Sequence, residues 1–575
     1  MAEKKLTGYP SIDKPWLKYY REETVNADLP TCTIYEYLCE NNKNTLDNVA
    51  MNYFGRQITY RELLINIEKN AKALISIGIK KSDVVTIFST NTPETIYLIY
   101  ALNFIGAIAD LEYVTISEKE AVKNVNAAKS KAVFILDLLV PKFQSIVQCK
   151  CVESVVSLPL SRSMPAFKRV LYNLKAKKAK YHDITDFSEF SSKGQANQIK
   201  KHSHIPNEPA VIVRSGGTTG IPKGVILSNE NLNSIAWQYT NFDADYHRGD
   251  TFMHSIPPFH AFGLSVGINM PLCIGFQLIL TVKFDEESLV ELFLQHKPIH
   301  FVADASHINA IVNDGRINKM DLSHLKTFAL GGSALTESQE IFSNKFLSEH
   351  HSVCKTCIGY GMSEVSATVC TEMNRFYGKV GSVGIPFCKA NCKVIDTESS
   401  EELQYNQIGE ICFSTSGLML GYLENDEETQ NTIFTDDDHN RWVHTGDIGY
   451  VDQDGFVFIT GRIKRIYTTQ SEKNGTLFKL FPDYVAKVIS QHDAVKECAV
   501  VCVEHPDYKH IAIAFVSLKD NENWHESKIE IEQHCRNELA TYNVPKQFYL
   551  VDEIPHTALG KVDYHALEKM AKANT

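Results

Sequence analysis

Arg214-Ser-Gly-Gly-Thr-Thr-Gly-Ile-Pro-Lys-Gly-Val225 holds the densest chemistry in the chain and follows directly on an apolar run at residues 210–213. Gly216, Gly217 and Gly220 let backbone amides approach an anion closely. Ser215, Thr218 and Thr219 add hydroxyl donors and Lys223 adds a charge, so polyphosphate is the natural ligand. The loop is not a Walker A motif, because Lys223 follows Pro222 and no Gly-Lys-Ser/Thr triplet occurs. Taken alone, the same residues also suit a flexible surface turn.

Further compact runs follow. They are Ile256-Pro-Pro-Phe-His-Ala-Phe-Gly263, Gly331-Gly-Ser-Ala-Leu335, Gly359-Tyr-Gly-Met-Ser-Glu364, Trp442-Val-His-Thr-Gly-Asp447, residues 455–462 and Pro555-His-Thr-Ala-Leu-Gly-Lys-Val-Asp563. Upstream stands Ile58-Thr-Tyr-Arg-Glu-Leu63. Order and content resemble the adenylate-forming superfamily of acyl-CoA synthetases, amino-acid adenylation domains and luciferases. The resemblance runs from about residue 30 to the end and looks most like fatty-acid or aryl-acid CoA ligases.

The resemblance implies that a carboxylate attacks the α-phosphorus of ATP, giving acyl-adenylate and pyrophosphate. Like charges must meet in that step, so cations and amides are needed where charge builds up. By resemblance, Ser215, Gly216, Gly217, Thr218, Thr219, Gly220 and Lys223 would hold the β- and γ-phosphates. Glu364 would bind Mg²⁺, a hard cation suited to carboxylate oxygen. Tyr360 would pack on adenine beside Gly331, with Gly361 acting through backbone packing. Ser363, where relatives carry Thr, keeps a hydroxyl for the α-phosphate. Asp447 would take the ribose hydroxyls with Arg462 beside it. Lys561 would be the catalytic residue, carried into the cleft on a loop to neutralise carboxylate and α-phosphate together. Lys464 occupies the hinge position about which relatives rotate their C-terminal domain.

His260, Phe262 and Gly332 would line the acyl pocket. Amino-acid adenylation domains usually place an Asp in this pocket motif; here the run has His and aromatics, which points to fatty or aryl acids. Asp304 stands where relatives tend to show Pro, and a helix N-cap is the expected role. The acceptor implied is the thiol of CoA. The alternatives are the phosphopantetheine of an acyl carrier protein, or a nucleotide-binding relative without ligase activity. Retention of Glu364, Asp447, Arg462 and Lys561 argues against the last.

The elements that must position these residues form an α/β pattern. Short β-branched runs (84–88, 132–136, 210–213, 276–282, 499–503, 511–518) alternate with helical periodicity, as at 92–105. The expectation is a large N-terminal domain of layered sheets and helices, residues 1–463, and a small mobile α+β domain, residues 464–575. Residues 161–200 and 468–481 look like loop excursions. The second puts more residues between Ile466 and Pro482 than relatives have.

Composition narrows the partners. Fifty-eight Lys and Arg against 69 Asp and Glu give a net charge of −11, with no recognisable nucleic-acid module, so no nucleic acid is expected. Fourteen scattered Cys and an N-terminus without an apolar leader suggest reduced thiols and a cytoplasmic protein. Residues 251–282 lack any charge but are broken by Pro and Gly throughout, which argues against a membrane span. Residues 162–180 carry seven basic and no acidic side chains, with Phe167, Val170, Leu171 and Leu174 at helical spacing. A solvated helix on the protein's own surface is the expectation there, with a weak contact to an anionic membrane surface as the alternative.

Overall fold

The computed structural model describes residues 6–175, 183–194, 199–215, 223–242, 244–283, 285–332, 337–372, 378–465, 467–470, 477–519, 522–556 and 562–574. Among these residues the chain is a mixed α/β protein with a large N-terminal domain and a smaller C-terminal one. The large domain holds two broad sheets. One is ordered Ile385–Pro386, Cys370–Thr371, Thr356–Tyr360, Thr327–Leu330, His300–Ala303, Thr251–His254, Gln277–Ile279, Val49–Tyr53, Arg56–Thr59. Its strands from Thr356–Tyr360 to Val49–Tyr53 run parallel. The other is ordered Gly421–Tyr422, Gly224–Ser228, Pro209–Arg214, Ile108–Leu111, Val84–Phe88, Ala132–Leu136, Ser154–Leu158, Thr185–Asp186. Here the strands from Pro209–Arg214 onward run parallel.

Parallel strands need crossover helices, and these cover the sheets. The helix Pro93–Ile105 is buried along its whole length, in keeping with a sequence apolar on every side. Thr92 caps its start, its Oγ1 accepting from Thr95 N at 3.2 Å, and Gly106 at φ +75° ends it. Its side chains join Met51 and Leu278 of one sheet with Val85 and Val211 of the other in a single core. Each such side chain taken from water contributes roughly 1.5–3 kcal/mol. A third, antiparallel sheet is built on Arg441–Val451, flanked by Gly409–Thr415, Ile433–Thr435 and Val457–Arg462.

The C-terminal domain has its own cores. Strands Val495–His505 and Lys509–Leu518 pair antiparallel, Gln547–Leu550 lies parallel to the second, and helices Pro482–Ser490, Trp524–Glu538 and Tyr564–Asn574 accompany them.

The apolar runs at 84–88 and 132–136 are strands with those bounds. The run at 276–282 supplies only the short strand Gln277–Ile279. Both excursions carry secondary structure, and the helical spacing over 162–180 corresponds to a helix. Residues 161–200 include helices Ala166–Lys175 and Phe187–Lys193, and Phe187 and Phe190 are buried against the main core. Within 468–481, strands Tyr467–Gln470 and Leu477–Leu480 form a hairpin in which Thr469 faces Phe478. The stretch has no alternation of polar and apolar residues to signal strands; only residue type favours them, through Tyr467, Thr468, Thr469 and Phe478. No helix among the described residues is long and apolar enough to cross a membrane. The cysteines are free thiols.

Candidate active site

In open parallel sheets, ligands bind outside the carboxyl ends of the strands. Ser215 follows Pro209–Arg214, Asp304 follows His300–Ala303, Gly331 follows Thr327–Leu330, and Tyr360 ends Thr356–Tyr360. Asp304, Gly331 and Tyr360 thus come to one rim at neighbouring strands of one sheet, and Ser215 stands at the carboxyl end of a strand in the other.

The base of the glycine loop is a hairpin end. Ser215 N donates to Lys223 O at 2.9 Å, and Lys223 N donates to Ser215 Oγ at 3.1 Å. Gly216, Gly217, Thr218, Thr219 and Gly220, between these two residues, lie outside the described residues. The Lys223 ammonium pairs with Glu428 and stands 4.7 Å from the centre of the Tyr422 ring. Behind the loop, the buried Arg214 guanidinium bonds Asp110 at 2.5 Å and also pairs with Glu112. Burial pushes both carboxyls above the usual carboxylate range, and Arg214 pulls them back. A Cβ on Gly224 would lie 2.5 Å from Arg214 Nη1, so glycine there makes room for the guanidinium.

Glu364 is buried in the helical turn Ser363–Val365, where Tyr422 Oη donates to its Oε1 at 2.6 Å. Its other carboxylate oxygen has no partner among the described residues. A carboxylate with an available oxygen, bonded to the same Tyr422 whose ring Lys223 approaches, suits a hard divalent ion. Ser363 is the first residue of the same turn. Gly361 is needed by packing: a Cβ would lie 1.7 Å from Ala367 O.

Tyr360 Oη donates to Asp447 Oδ2 at 2.5 Å, and Arg462 Nε holds Asp447 Oδ1 at 2.6 Å. Burial raises the Asp447 pKa and Arg462 opposes the rise. The approach to Asp447 is fixed by Glu410. Its Oε1 accepts from Gly446 N at 2.9 Å and its Oε2 meets His444 Nδ1 at 2.9 Å, with Gly446 at φ +70°. Asp447 and Arg462 are register partners on adjacent strands. Tyr360, Asp447 and Arg462 thus form one cluster although 102 positions separate the first and last.

Phe262 and Gly331 also meet: a Cβ on Gly331 would lie 2.6 Å from Phe262 Cζ. Gly332 is exposed at φ +83°. His260 Nδ1 is 3.2 Å from Tyr113 Oη, next to the Arg214 cluster. Asp304 is the N-cap of Ala305–Asn313. Its Oδ1 accepts from His307 N at 3.1 Å and also contacts His307 Nδ1 and Ser306 Oγ, each at 2.8 Å.

Lys464 is exposed in the turn Ile463–Arg465, between two anchored arginines. Arg462 is held by Asp447. Arg465 pairs with Asp483, donates to Val500 O at 2.5 Å and stacks 3.3 Å from the Tyr564 ring centre. Lys561 lies outside the described residues.

Sequence reasoning missed Tyr422, Glu428, Glu410 and the Arg214 cluster. Asp110 and Glu112, two apart in an apolar run, share one face of a strand and signal a buried cation. Glu428 sits in an acidic run that reads as solvated surface.

A family model described as AMP-binding enzyme matches residues 38–423, and one described as AMP-binding enzyme C-terminal domain matches residues 484–561. The chain is 28% identical over 565 residues to a long-chain-fatty-acid–CoA ligase of Bacillus subtilis (strain 168), covering 96% of each. It is 26% identical over 515 residues to 4-coumarate–CoA ligase CCL1 of Humulus lupulus, covering 88% of each. The structure of the anthranilate CoA ligase AuaEII with anthranoyl-AMP superposes with a TM-score of 0.80 at 20% identity, over 95% of this chain and 99% of that one.

Proposed function

Because the chain belongs to the AMP-binding enzyme family and is an AMP-forming acid–thiol ligase, we propose that it activates a fatty or aryl carboxylic acid as its acyl-adenylate and passes the acyl group to CoA. The observation carrying the adenylation half is the cluster of Tyr360, Asp447 and Arg462, which sets an aromatic ring beside a clamped carboxylate. In this reading Tyr360 stacks on adenine and Asp447 accepts from the ribose hydroxyls, steered by Arg462. Lys223 exchanges Glu428 for a phosphate, and Ser215 with residues 216–220 cradles the polyphosphate. Ser363 faces the α-phosphate. Glu364 would hold Mg²⁺, which supplies charge neutralisation on the phosphates.

Lys561 then neutralises the attacking carboxylate and the α-phosphate, and pyrophosphate leaves with the electron pair of the broken P–O bond. Phe262, Gly331 and Gly332, with His260 nearby, form the acyl pocket. No carboxylate on the described Phe262–Gly331 wall stands ready for an α-ammonium, and Asp304 is engaged by its own helix, which supports fatty or aryl acids. Residues 1–463 and 464–575 act as two bodies that pivot at Lys464. The anchoring of Arg462 to one body and Arg465 to the other supports this placement. A carrier-protein phosphopantetheine is the second acceptor to test.

The deciding experiment measures pyrophosphate release across fatty, aryl and amino acids, with and without CoA. Acid-dependent release with acyl-CoA formation is expected. Release without a thioester on CoA would move the reading to a carrier protein, and no release with any acid would overturn it.

A further inference from the structure

Ala166–Lys175 is a helix seated with its apolar side outward. Successive residues turn by about 100°, so Phe167, Val170, Leu171 and Leu174 fall on one stripe, with Tyr172 roughly opposite. The stripe is bare: these four side chains are 64%, 56%, 54% and 78% exposed. The opposite side anchors the helix. Tyr172 packs on the main core and donates to Asp137 Oδ1 at 3.4 Å. Lys168 Nζ donates to Phe54 O at 2.9 Å and lies 5.7 Å from the Phe54 ring centre, while Asn173 Oδ1 accepts from Ser161 Oγ at 3.2 Å. Phe54 and Leu138, beside the first two anchors, are themselves exposed. Four large apolar side chains therefore share one bare stripe, whereas ordinary surfaces carry them singly.

The charge around this face is reversed relative to the protein. Residues 162–180 carry seven basic and no acidic side chains in a chain of net charge −11. Arg162, Lys168, Arg169 and Lys175 belong to the helix and its approach; the remaining three follow in sequence. A second copy seated symmetrically on this face would bring like charges together. A surface that is apolar in depth and anionic at its boundary satisfies both halves of the pattern. We propose that the outward face of Ala166–Lys175 docks on an anionic phospholipid bilayer, lying along the interface with the leucines inserted. This goes beyond the ligase reading and does not depend on it.

The test is co-sedimentation of the full chain with vesicles of phosphatidylcholine alone and of phosphatidylcholine mixed with phosphatidylglycerol. Binding is expected only to the mixed vesicles and should weaken several-fold as salt rises past physiological strength. Leu171→Ser with Leu174→Ser should weaken it about tenfold or more, and Arg169→Glu with Lys175→Glu should abolish it. Pyrophosphate release by both variants in vesicle-free buffer should equal that of the parent, which shows that they fold. Absence of binding to either vesicle would overturn the proposal, as would binding indifferent to salt or to the leucine changes. A dimer in sedimentation velocity that the leucine changes dissociate would assign the face to a second copy instead.

Discussion

Tyr360 and Asp447 lie on different sheets and meet through a 2.5 Å hydrogen bond. The end of the strand Thr356–Tyr360 is thereby fastened to the strand Arg441–Val451, whose Asp447 we propose as the ribose carboxylate. Tyr360→Phe keeps the ring and removes the donor. A hydrogen bond to a charged group contributes roughly 1.5–3 kcal/mol, so KM for ATP should rise roughly ten- to a hundredfold while kcat changes little. Steady-state kinetics at saturating acid checks this. An unchanged KM would mean that the hydroxyl does not orient Asp447.

Gly331 is predicted to set the width of the acyl pocket. Gly331→Ala places a methyl 2.6 Å from Phe262 Cζ, and the ring must move. Activity with bulky acids should fall about tenfold or more relative to small ones, with KM for ATP within a few-fold. The measurement is kcat/KM across an acid series. Equal losses for every acid would make the glycine a structural requirement only.

Lys561→Ala should reduce adenylation by several orders of magnitude and largely spare attack of thiol on supplied acyl-adenylate. The opposition of carboxylate and α-phosphate exists only in the first step. Parallel losses in the two half-reactions would show that the lysine has been given the wrong role.

The hairpin after the hinge offers a separate test. Gln470 faces Leu477 at the last described pair, so replacing residues 471–476 by Asn-Gly suits a tight two-residue turn. Pyrophosphate release is expected within a few-fold of the parent. Thioester formation with CoA should change at least tenfold, about 1.4 kcal/mol in the barrier. Should acyl-CoA appear at the parental rate, the hairpin has no part in acceptor binding.

Glu372 gives a pH signature. Its Oε2 accepts from Ile358 N at 3.0 Å, its Oε1 has no partner among the described residues, and burial pushes its pKa up to about 8. Between the ordinary value of 4.5 and about 8, the folded protein keeps a proton that the unfolded chain has lost. Stability from this group is therefore greatest below pH 4.5 and declines as pH rises through the window. Glu372→Gln mimics the protonated form. It should leave the unfolding free energy from urea titration unchanged near pH 5 and raise it near pH 9 by on the order of 2–4 kcal/mol, moving the midpoint with it. Equal midpoints at the higher pH would show that the carboxylate is solvated there.

Much of this could be read before any coordinates. Val84–Phe88 and Ala132–Leu136 are apolar runs bounded by turn residues, so length and composition were enough. Asp304 sits before a helical period, and the cap is local chemistry. The tie from Tyr360 to Asp447 was not legible as a bond, because it depends on how two sheets meet. Glu428 was hidden among neighbouring acids, since only the strand Gly421–Tyr422 beside Gly224–Ser228 carries it to Lys223. Phe187 and Phe190 were masked by the Lys and Ser around them; the burial of a few large side chains outweighs a polar average.

Glu337 opens the helix Glu337–Glu349 and faces the C-terminal domain, one carboxylate oxygen taking Lys487 at 2.9 Å and the other Gln491 at 3.1 Å. It stands five residues beyond Gly332, which we propose lines the acyl pocket. In that proposal the coupling is reciprocal: whatever acid binding does to the Glu337 contact, docking of the domain does to acid affinity. The pair is partly exposed, which limits its contribution to about 1 kcal/mol, or roughly fivefold in population. A contact of that strength behaves as a detent and not a bolt, holding the two parts together while leaving their separation within thermal reach.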